Sequence, residues 1–348
     1  EINGYTQLQA GQDITLASGQ RVIAATTATN NGFLTQQQHM TLLASDADVI
    51  LASADYTSYN YADLLAAQNP DIALAYDAGH AILRANNLNL EGTFVNNHES
   101  GYFGGALDIT SDNIFIAPTG ETAPENYLMI EDRDLSSLQL ESVMVGGTRS
   151  TTDSVTSYEI ISNNIELADN IVIDLSELIL VAENELSIAD NVTLSTNSTD
   201  TKQANLQLAA SGNILLLSGM ADWGYSLDEN FAYSPTTQLT VGNNFTSEFG
   251  QSLMLGTSGT INFAGSPAIT SAAGSLTFIE PSILIDPLAA ASERRFTDAL
   301  AADVDQVSLL AADEIVFDHD LSLDFTNLQI SSPPVSYTHL RAHETLSY

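Results

Sequence analysis

Basic residues are so scarce in this chain, eight Lys and Arg against 44 Asp and Glu, that one set among glycines is the first place to look for chemistry. Arg149 closes Gly146-Gly147-Thr148-Arg149, and a guanidinium can fork onto a carboxylate with two parallel hydrogen bonds. It reads either as a clamp for a carboxylate ligand or as a structural fork, bonded to an acidic neighbour or to backbone carbonyls behind a glycine turn. Glycine pairs mark turns far more often than sites, which favours the fork. Asp318-His319-Asp320 offers an imidazole between two carboxylates, a set suited to metal binding or acid–base work. On a continuous strand, however, Ile315, Phe317, His319, Leu321, Leu323 and Phe325 share one face, while Asp318, Asp320 and Asp324 share the other. The carboxylates then diverge from the imidazole, and His319 reads as a satisfied inward or corner residue. The outward Asp row leaves Ca²⁺, an oxygen-seeking ion, open as a ligand of the acidic surface, although the Gly-Gly-x-Gly-x-Asp repeat of calcium-binding solenoids is missing. Glu131-Asp132-Arg133-Asp134 reads as a solvated loop with a local ion pair. Trp223, the only Trp, lies near Tyr225, Phe231 and Tyr233. These aromatics could stack on sugars, but a lateral loop packing its own rings is the stronger reading. No catalytic, cofactor-binding or metal-ligating residue is assigned, and no cofactor is expected.

The elements that must position these residues follow from a period of two. From position 165 the odd residues run Ile165, Leu167, Asp169, Ile171, Ile173, Leu175; the parity then switches, and the even residues run Leu178, Leu180, Ala182, Asn184, Leu186, Ile188, Asp190, Val192, Leu194. A single strand of that length is implausible, since strands average about 5–6 residues. Asp169, Asn184 and Asp190 supply the breaks, as residues that tolerate turns and left-handed backbone. Similar units recur loosely at Asp13–Ala17, Asp48–Ala52, Ala81–Asn86, Asn113–Ala117, Asn213–Leu217 and Glu314–Phe317. Short strands joined by Asn or Asp corners predict a stack of parallel coils, each burying its apolar face on the next. The interior is expected to hold Ile165, Leu167, Ile171, Ile173, Leu186, Ile188, Ile214, Leu216, Leu276 and Phe278. Helix-favouring stretches at 61–67 and 287–296 read as short excursions, and 118–127 and 196–205 as loops.

A formal charge of −36 repels nucleic acid, whose binding requires Lys and Arg on phosphates. No run approaches the roughly 20 apolar residues of a membrane helix, so no membrane insertion is expected. There is no Cys, which removes disulfides, thiolate metal sites and cysteine nucleophiles. Glu1-Ile2-Asn3-Gly4 has neither initiator Met nor leader pattern and reads as the inside of a longer chain. Residues 335–348 change character: two of the six His fall there, and the string from Val335 to Thr345 resembles the in-frame translation of a transposon-type sequencing adapter. They are read as non-native. The expected organisation is an irregular or poorly ordered N-terminal part of the stack over 1–70, the parallel coils over 71–334, and the tail.

Three phrases carry a family resemblance: Ala10-Gly11-Gln12-Asp13-Ile14-Thr15-Leu16, Gly104-Gly105-Ala106-Leu107-Asp108-Ile109-Thr110 and, most specifically, Leu140-Glu141-Ser142-Val143-Met144-Val145-Gly146-Gly147-Thr148-Arg149-Ser150. The last resembles the "S-L-L-I-G-G-T-R-S" signature of filamentous-haemagglutinin-like, two-partner-secretion exoproteins, with Ile179–Glu183 and Gly274–Phe278 resembling the coils that follow it there. Over about 100–285 the resemblance implies a right-handed parallel β-helix with lateral loops, within a secreted adhesin at the cell surface of a Gram-negative bacterium. It also implies an outer-membrane partner transporter for the full-length protein, and a glycan or protein receptor on host cells or matrix. The enzyme alternative is a β-helix polysaccharide lyase or glycoside hydrolase. A lyase acting on polyuronates uses a base aided by Arg or Lys, which this chain hardly supplies, and a hydrolase needs two carboxylates across a cleft.

Overall fold

A computed structural model describes residues 13–15, 21–30, 35–44, 78–86, 88, 94, 104–152, 154–196, 198, 202–228, 230–271, 273–285, 304–317 and 327–331. The helical stretches expected at 61–67 and 287–296, the Asp318-His319-Asp320 cluster and the tail 335–348 lie outside them. The chain divides into two compact units, Glu1–Ala75 and Tyr76–Tyr348. In the first, Asp13–Thr15, Arg21–Asn30 and Thr35–Ala44 pair in order as an antiparallel sheet.

The second unit is mostly β, built of many parallel strands in several sheets; one six-residue helix, Asp132–Ser137, is its only helix among the described residues. Three of its sheets surround a common apolar core. A nine-stranded central sheet contains, in spatial order, Asn327–Ser331, Gln306–Phe317, Ser275–Ile285, Ser252–Thr257, Asn213–Ser218, Glu177–Ala182, Ser142–Val145, Ala106–Thr110 and His80–Arg84. A six-stranded sheet runs from Thr260–Phe263 through Gln238–Val241, Glu185–Ile188, Asn164–Leu167 and Asn113–Ala117 to Leu128–Glu131. A four-stranded sheet orders Val172–Leu175, Thr193–Thr196, Thr246–Glu248 and Ala268–Thr270. From Asn164 to Ile285 the chain visits the six-stranded, four-stranded and central sheets in turn, and each strand pairs with its equivalent one visit away.

Side-chain parity explains why this sequence holds that register. Ile114, Ile165, Leu186, Leu239 and Ile261 stand opposite one another across the six-stranded sheet, as do Ile116, Leu167, Ile188, Val241 and Phe263. A slip of one residue would turn both columns out to solvent. Corners are fixed by a second set of columns. Asn170, Asn191 and Asn244 have φ of 63°, 59° and 57°, a left-handed backbone that Asn tolerates best after Gly. Their carboxamides form a ladder, Asn191 Nδ2 donating to Asn170 Oδ1 at 3.2 Å and Asn244 Nδ2 to Asn191 Oδ1 at 2.9 Å. The left-handed residue therefore follows Asp169 and Asp190 by one position. The two aspartates accept bonds from the next corner instead, Asp190 N–H to Asp169 at 2.9 Å and Asn243 N–H to Asp190 at 2.6 Å.

The central sheet departs from simple stacking in two ways. Asn213–Ser218 runs antiparallel to both of its neighbours, in register with them. After Thr196 the chain crosses outward as Lys202–Gln207, returns through Asn213–Ser218, crosses outward again as Ala221–Ser226, and only then enters the six-stranded sheet. In addition, the hairpin Gly147–Thr152/Val155–Ile160 leaves the stack between Val145 and Asn164. That hairpin and the two outward crossings pair as a four-stranded outer sheet, which covers the outward face of the central sheet and encloses a second core containing Met144, Ile179, Val181, Leu206, Ile214, Leu216, Trp223 and Met254. Ile165, Leu167, Ile171, Ile173, Leu186, Ile188, Leu276 and Phe278 fill the first core as expected. Ile214 and Leu216 do not: their places are taken by Leu215 and Leu217, because the strand Asn213–Ser218 is apolar on both parities and buried on both faces.

Candidate functional site

The outer sheet traps charged side chains against the central sheet. Positions 108, 142, 177, 218 and 252 project outward from strands whose inward residues are Leu107, Val143, Leu178, Leu217 and Leu253. Asp108, Ser142, Glu177, Ser218 and Ser252 are all buried, and a buried carboxylate must be paired and hydrogen-bonded to stay ionised.

Arg149, from the outer hairpin, supplies the pairing. Its Nε donates to Asp108 Oδ1 at 2.7 Å, its backbone N–H to Asp108 Oδ2 at 2.8 Å, and its Nη2 to the Leu107 carbonyl at 3.4 Å. Its Nη1 donates to Ser142 Oγ and lies 3.9 Å from Glu177 Oε1. Ser142 Oγ donates in turn to Glu177 Oε1 at 2.6 Å. The second Glu177 oxygen accepts from Ser218 Oγ at 2.9 Å and from the Trp223 indole N–H at 2.8 Å. The most exposed member of the network is His80, whose Nε2 lies 2.8 Å from Asp108 Oδ2 and whose side chain is 34% exposed. Alongside, Lys202 pairs with Glu141 at 3.0 Å.

Gly146 and Gly147 let Arg149 arrive. Gly146 has φ +98°, and a Cβ there would lie 2.0 Å from the Val181 carbonyl oxygen; one on Gly147 would lie 2.5 Å from that of Glu159. The Gly146 carbonyl accepts the amides of both Ile161 and Ser162 at 2.8 Å, pinning the point where the hairpin returns. The Gly-Gly pair is thus a corner, and Arg149 makes carboxylate and carbonyl bonds within its own chain. Trp223 lies on a strand rather than a loop and packs in the second core with Tyr225 and Phe231, while Tyr233 is exposed. Glu131 and Arg133 form the expected local ion pair at 2.7 Å, although Arg133 sits in the short helix.

Outside this network, burial pushes Tyr158 and Tyr225 above the usual phenol range. Glu166, half-buried and beside Glu185 and Asp169, is raised by desolvation first and by those charges second. Glu280 is pushed up to about 8 by burial, against the lowering effect of its bond from the Ile261 amide at 2.5 Å. A small cleft beside the second core, lined among others by Tyr158, Leu208, Phe231 and Ile279, has no carboxylate or imidazole among the described residues that line it. Among the described residues no three His, Asp or Glu side chains come together as metal ligands, and no helix is long and apolar enough to cross a membrane.

Sequence reasoning reached Arg149 and Trp223 but missed Asp108, Glu177 and His80 as their partners. A signal was available. Leu178-Ile179-Leu180-Val181-Ala182 is apolar on both parities, the mark of a strand buried on both faces, so the glutamate that opens it is buried and needs a partner. No family model matches this chain, and no curated protein and no solved structure matches it.

Proposed function

We propose that this chain is a segment of a secreted surface exoprotein, a right-handed parallel β-helix that spaces and presents adhesive regions without catalysis. The observation that carries this reading is the column packing. The same inward positions, Ile165 against Ile114 and Leu186 and onward to Leu239 and Ile261, recur visit after visit in parallel register. A stack of that kind grows by adding coils that contact only their neighbours, which suits a stalk. The buried charges favour the same reading. Asp108, Glu177 and Arg149 are consumed by one another beneath the outer sheet, as locks between strands. A charge of −36 keeps such a surface soluble and repels neighbouring stalks. In this reading the partners are an outer-membrane transporter for the full-length protein and a glycan or protein receptor on a host cell or matrix, and the site of action is the cell surface of a Gram-negative bacterium.

The test is to extend the gene in both directions and to incubate the purified chain with anionic polysaccharides. An upstream secretion domain beside a transporter gene, with the polysaccharides left intact, is the expected result. Depolymerisation of any of them would overturn the reading in favour of a lyase or hydrolase.

A further inference from the structure

Earlier coils leave the central sheet through a two-residue corner, 183–184 after Glu177–Ala182 and 258–259 after Ser252–Thr257. The next passage has no such corner. Ser275–Ile285 runs on as one strand, with a register shift between Glu280 and Ser282 at the buried Pro281. Beyond the shift Ser282–Ile285 pairs with Glu314–Phe317, and Thr260–Phe263 is left as the terminal strand of the six-stranded sheet among the described residues.

A carboxyl group meets that terminal strand where a further strand would offer a carbonyl. Glu280, of the same inward parity as Leu276 and Phe278, accepts the Ile261 N–H at 2.5 Å and is only 8% exposed. Phe278 meets Phe263 edge-on, with ring centroids 6.3 Å apart, so the two strands that Glu280 joins also share an apolar contact. Among the described residues, Ser252–Thr257, Thr260–Phe263 and the rest of Ser275–Ile285 carry no charged side chain. Gln306–Phe317 carries only Asp313 and Glu314, both exposed. A buried carboxyl with one neutral donor and no cation is held as the acid, because desolvation outweighs a single amide bond.

We propose that Glu280 is a pH-operated latch: as the acid it closes Ser275–Ile285 onto Thr260–Phe263, and on losing its proton it turns out to solvent and lets the strands beyond the shift part from the stack. The seam is local. Ser282–Ile285 has no ladder to the six-stranded sheet among the described residues; Ile283, 1% exposed in the first core, and Glu280 tie it there, so it opens without the columns behind it. The folded pKa lies above the ordinary 4.5, so the closed state binds a proton that the open state releases. The latch is therefore at full strength below pH 4.5 and weakens as the pH rises to about 8. This device goes beyond the surface-stalk reading and does not depend on it.

The experiment follows amide exchange of the full chain from pH 5 to pH 9, each rate normalised to the intrinsic rate at that pH. In the parent, protection at Ile261 and along Ser282–Ile285 should fall about tenfold per pH unit up to about pH 8 and then level off, one proton being released per opening. In Glu280→Gln, which keeps an acceptor for the Ile261 amide and cannot ionise, that slope should vanish. At pH 8 the parent's Ile261 should exchange at least about tenfold faster than Leu186, in the interior of the same sheet. A slope that persists in Glu280→Gln would overturn the latch, and equal protection at Ile261 and Leu186 would overturn the local seam. If Glu280→Gln fails to fold by circular dichroism, the carbon-13 carboxyl resonance of Glu280 in the parent decides: a midpoint near 8 is expected, and one in the ordinary carboxylate range would overturn the proposal.

Discussion

Replacing Arg149 by Met should be among the most costly single changes in the second unit. The guanidinium has three bonds to its own chain within 3.5 Å besides the backbone contact, and its side chain is only 10% exposed. Its loss leaves the Asp108 carboxylate, with none of its side chain exposed, held by His80 and the Arg149 amide alone. Stripping one partner from a buried ion pair costs about 3–5 kcal/mol, a large share of the roughly 5–15 kcal/mol that stabilises a whole domain. Changing both partners, Asp108→Leu with Arg149→Met, removes the stranded Asp108 charge; Glu177 loses the Arg149 cation 3.9 Å away in the single Arg149→Met and the double variant alike, so that loss cancels from the coupling. Apolar replacement of a buried pair is close to neutral in itself, so the remaining loss is about 1–2 kcal/mol, from the His80 and Arg149 donors left without an acceptor. The two substitutions should therefore be strongly non-additive, with a coupling of about 2 kcal/mol or more. Urea titration followed by Trp223 emission is the direct assay, because this sole Trp donates to Glu177 at the other end of the network. An Arg149→Met loss below about 1 kcal/mol, or a double variant whose loss equals the sum of the single losses, would refute the claim that the network is a desolvated lock.

Three further outcomes follow from single residues. The folded-state pKa of Glu280 is raised from 4.5 to about 8, so the folded chain retains a proton that the unfolded chain releases. Its contribution to stability is full below pH 4.5 and is lost as the pH rises to about 8, at up to about 1.4 kcal/mol per unit; in Glu280→Gln, which keeps an acceptor for the Ile261 amide, the difference between denaturation midpoints at pH 5 and pH 8 should shrink. Asn191→Ala should lose both ladder bonds and force Ala into positive φ, about 2–3 kcal/mol in all, whereas Asn191→Gly should lose only the bonds; equal losses in thermal melts would rule out the backbone part of that account. Gly146→Ala should abolish soluble expression, since its Cβ would overlap the Val181 carbonyl; a folded variant with an intact near-ultraviolet spectrum would contradict it.

Much of this architecture is legible in the period of two, and the failures share one cause. The runs over 165–175 and 184–194 identify the inward columns, because each has a largely polar face to contrast with its apolar one. Asn213-Ile214-Leu215-Leu216-Leu217 has no such contrast, so parity alone cannot say which leucines face the first core. The outer sheet, made by the two flanking segments and the earlier hairpin Gly147–Thr152/Val155–Ile160, gives the other face its partner. Asp108 escapes for the same reason: an acidic residue on a strand reads as solvent-facing until a second layer is known to cover it, whereas Glu177 opens a strand apolar on both parities and so carries its own signal. The left-handed residue falls one position after Asp169 and Asp190 because Asp and Asn do different work at these corners, the aspartate accepting from the next corner and the asparagine adopting the left-handed backbone. Helix Asp132–Ser137 is missed because six polar-rich residues carry no period of 3.6; its role lies in two side-chain acceptors that meet an edge some 40 residues later.

The antiparallel strand Asn213–Ser218 carries a lesson about how such a chain can lengthen. Among the described residues two excursions leave the stack, and each adds strands in a pair, the hairpin Gly147–Thr152 and Val155–Ile160 in one case, the crossings Lys202–Gln207 and Ala221–Ser226 in the other. An even number of added crossings returns the chain to the end from which it would have continued, so every later visit keeps its place, as Leu253 opposite Leu217 attests. An odd number would deliver it to the wrong end and scramble all that follows. The two described excursions thus share an arithmetic of evenness. The outer face gains strands in pairs, while the inner wall absorbs the detour by reversing one strand and keeping Leu215 and Leu217 in the first core.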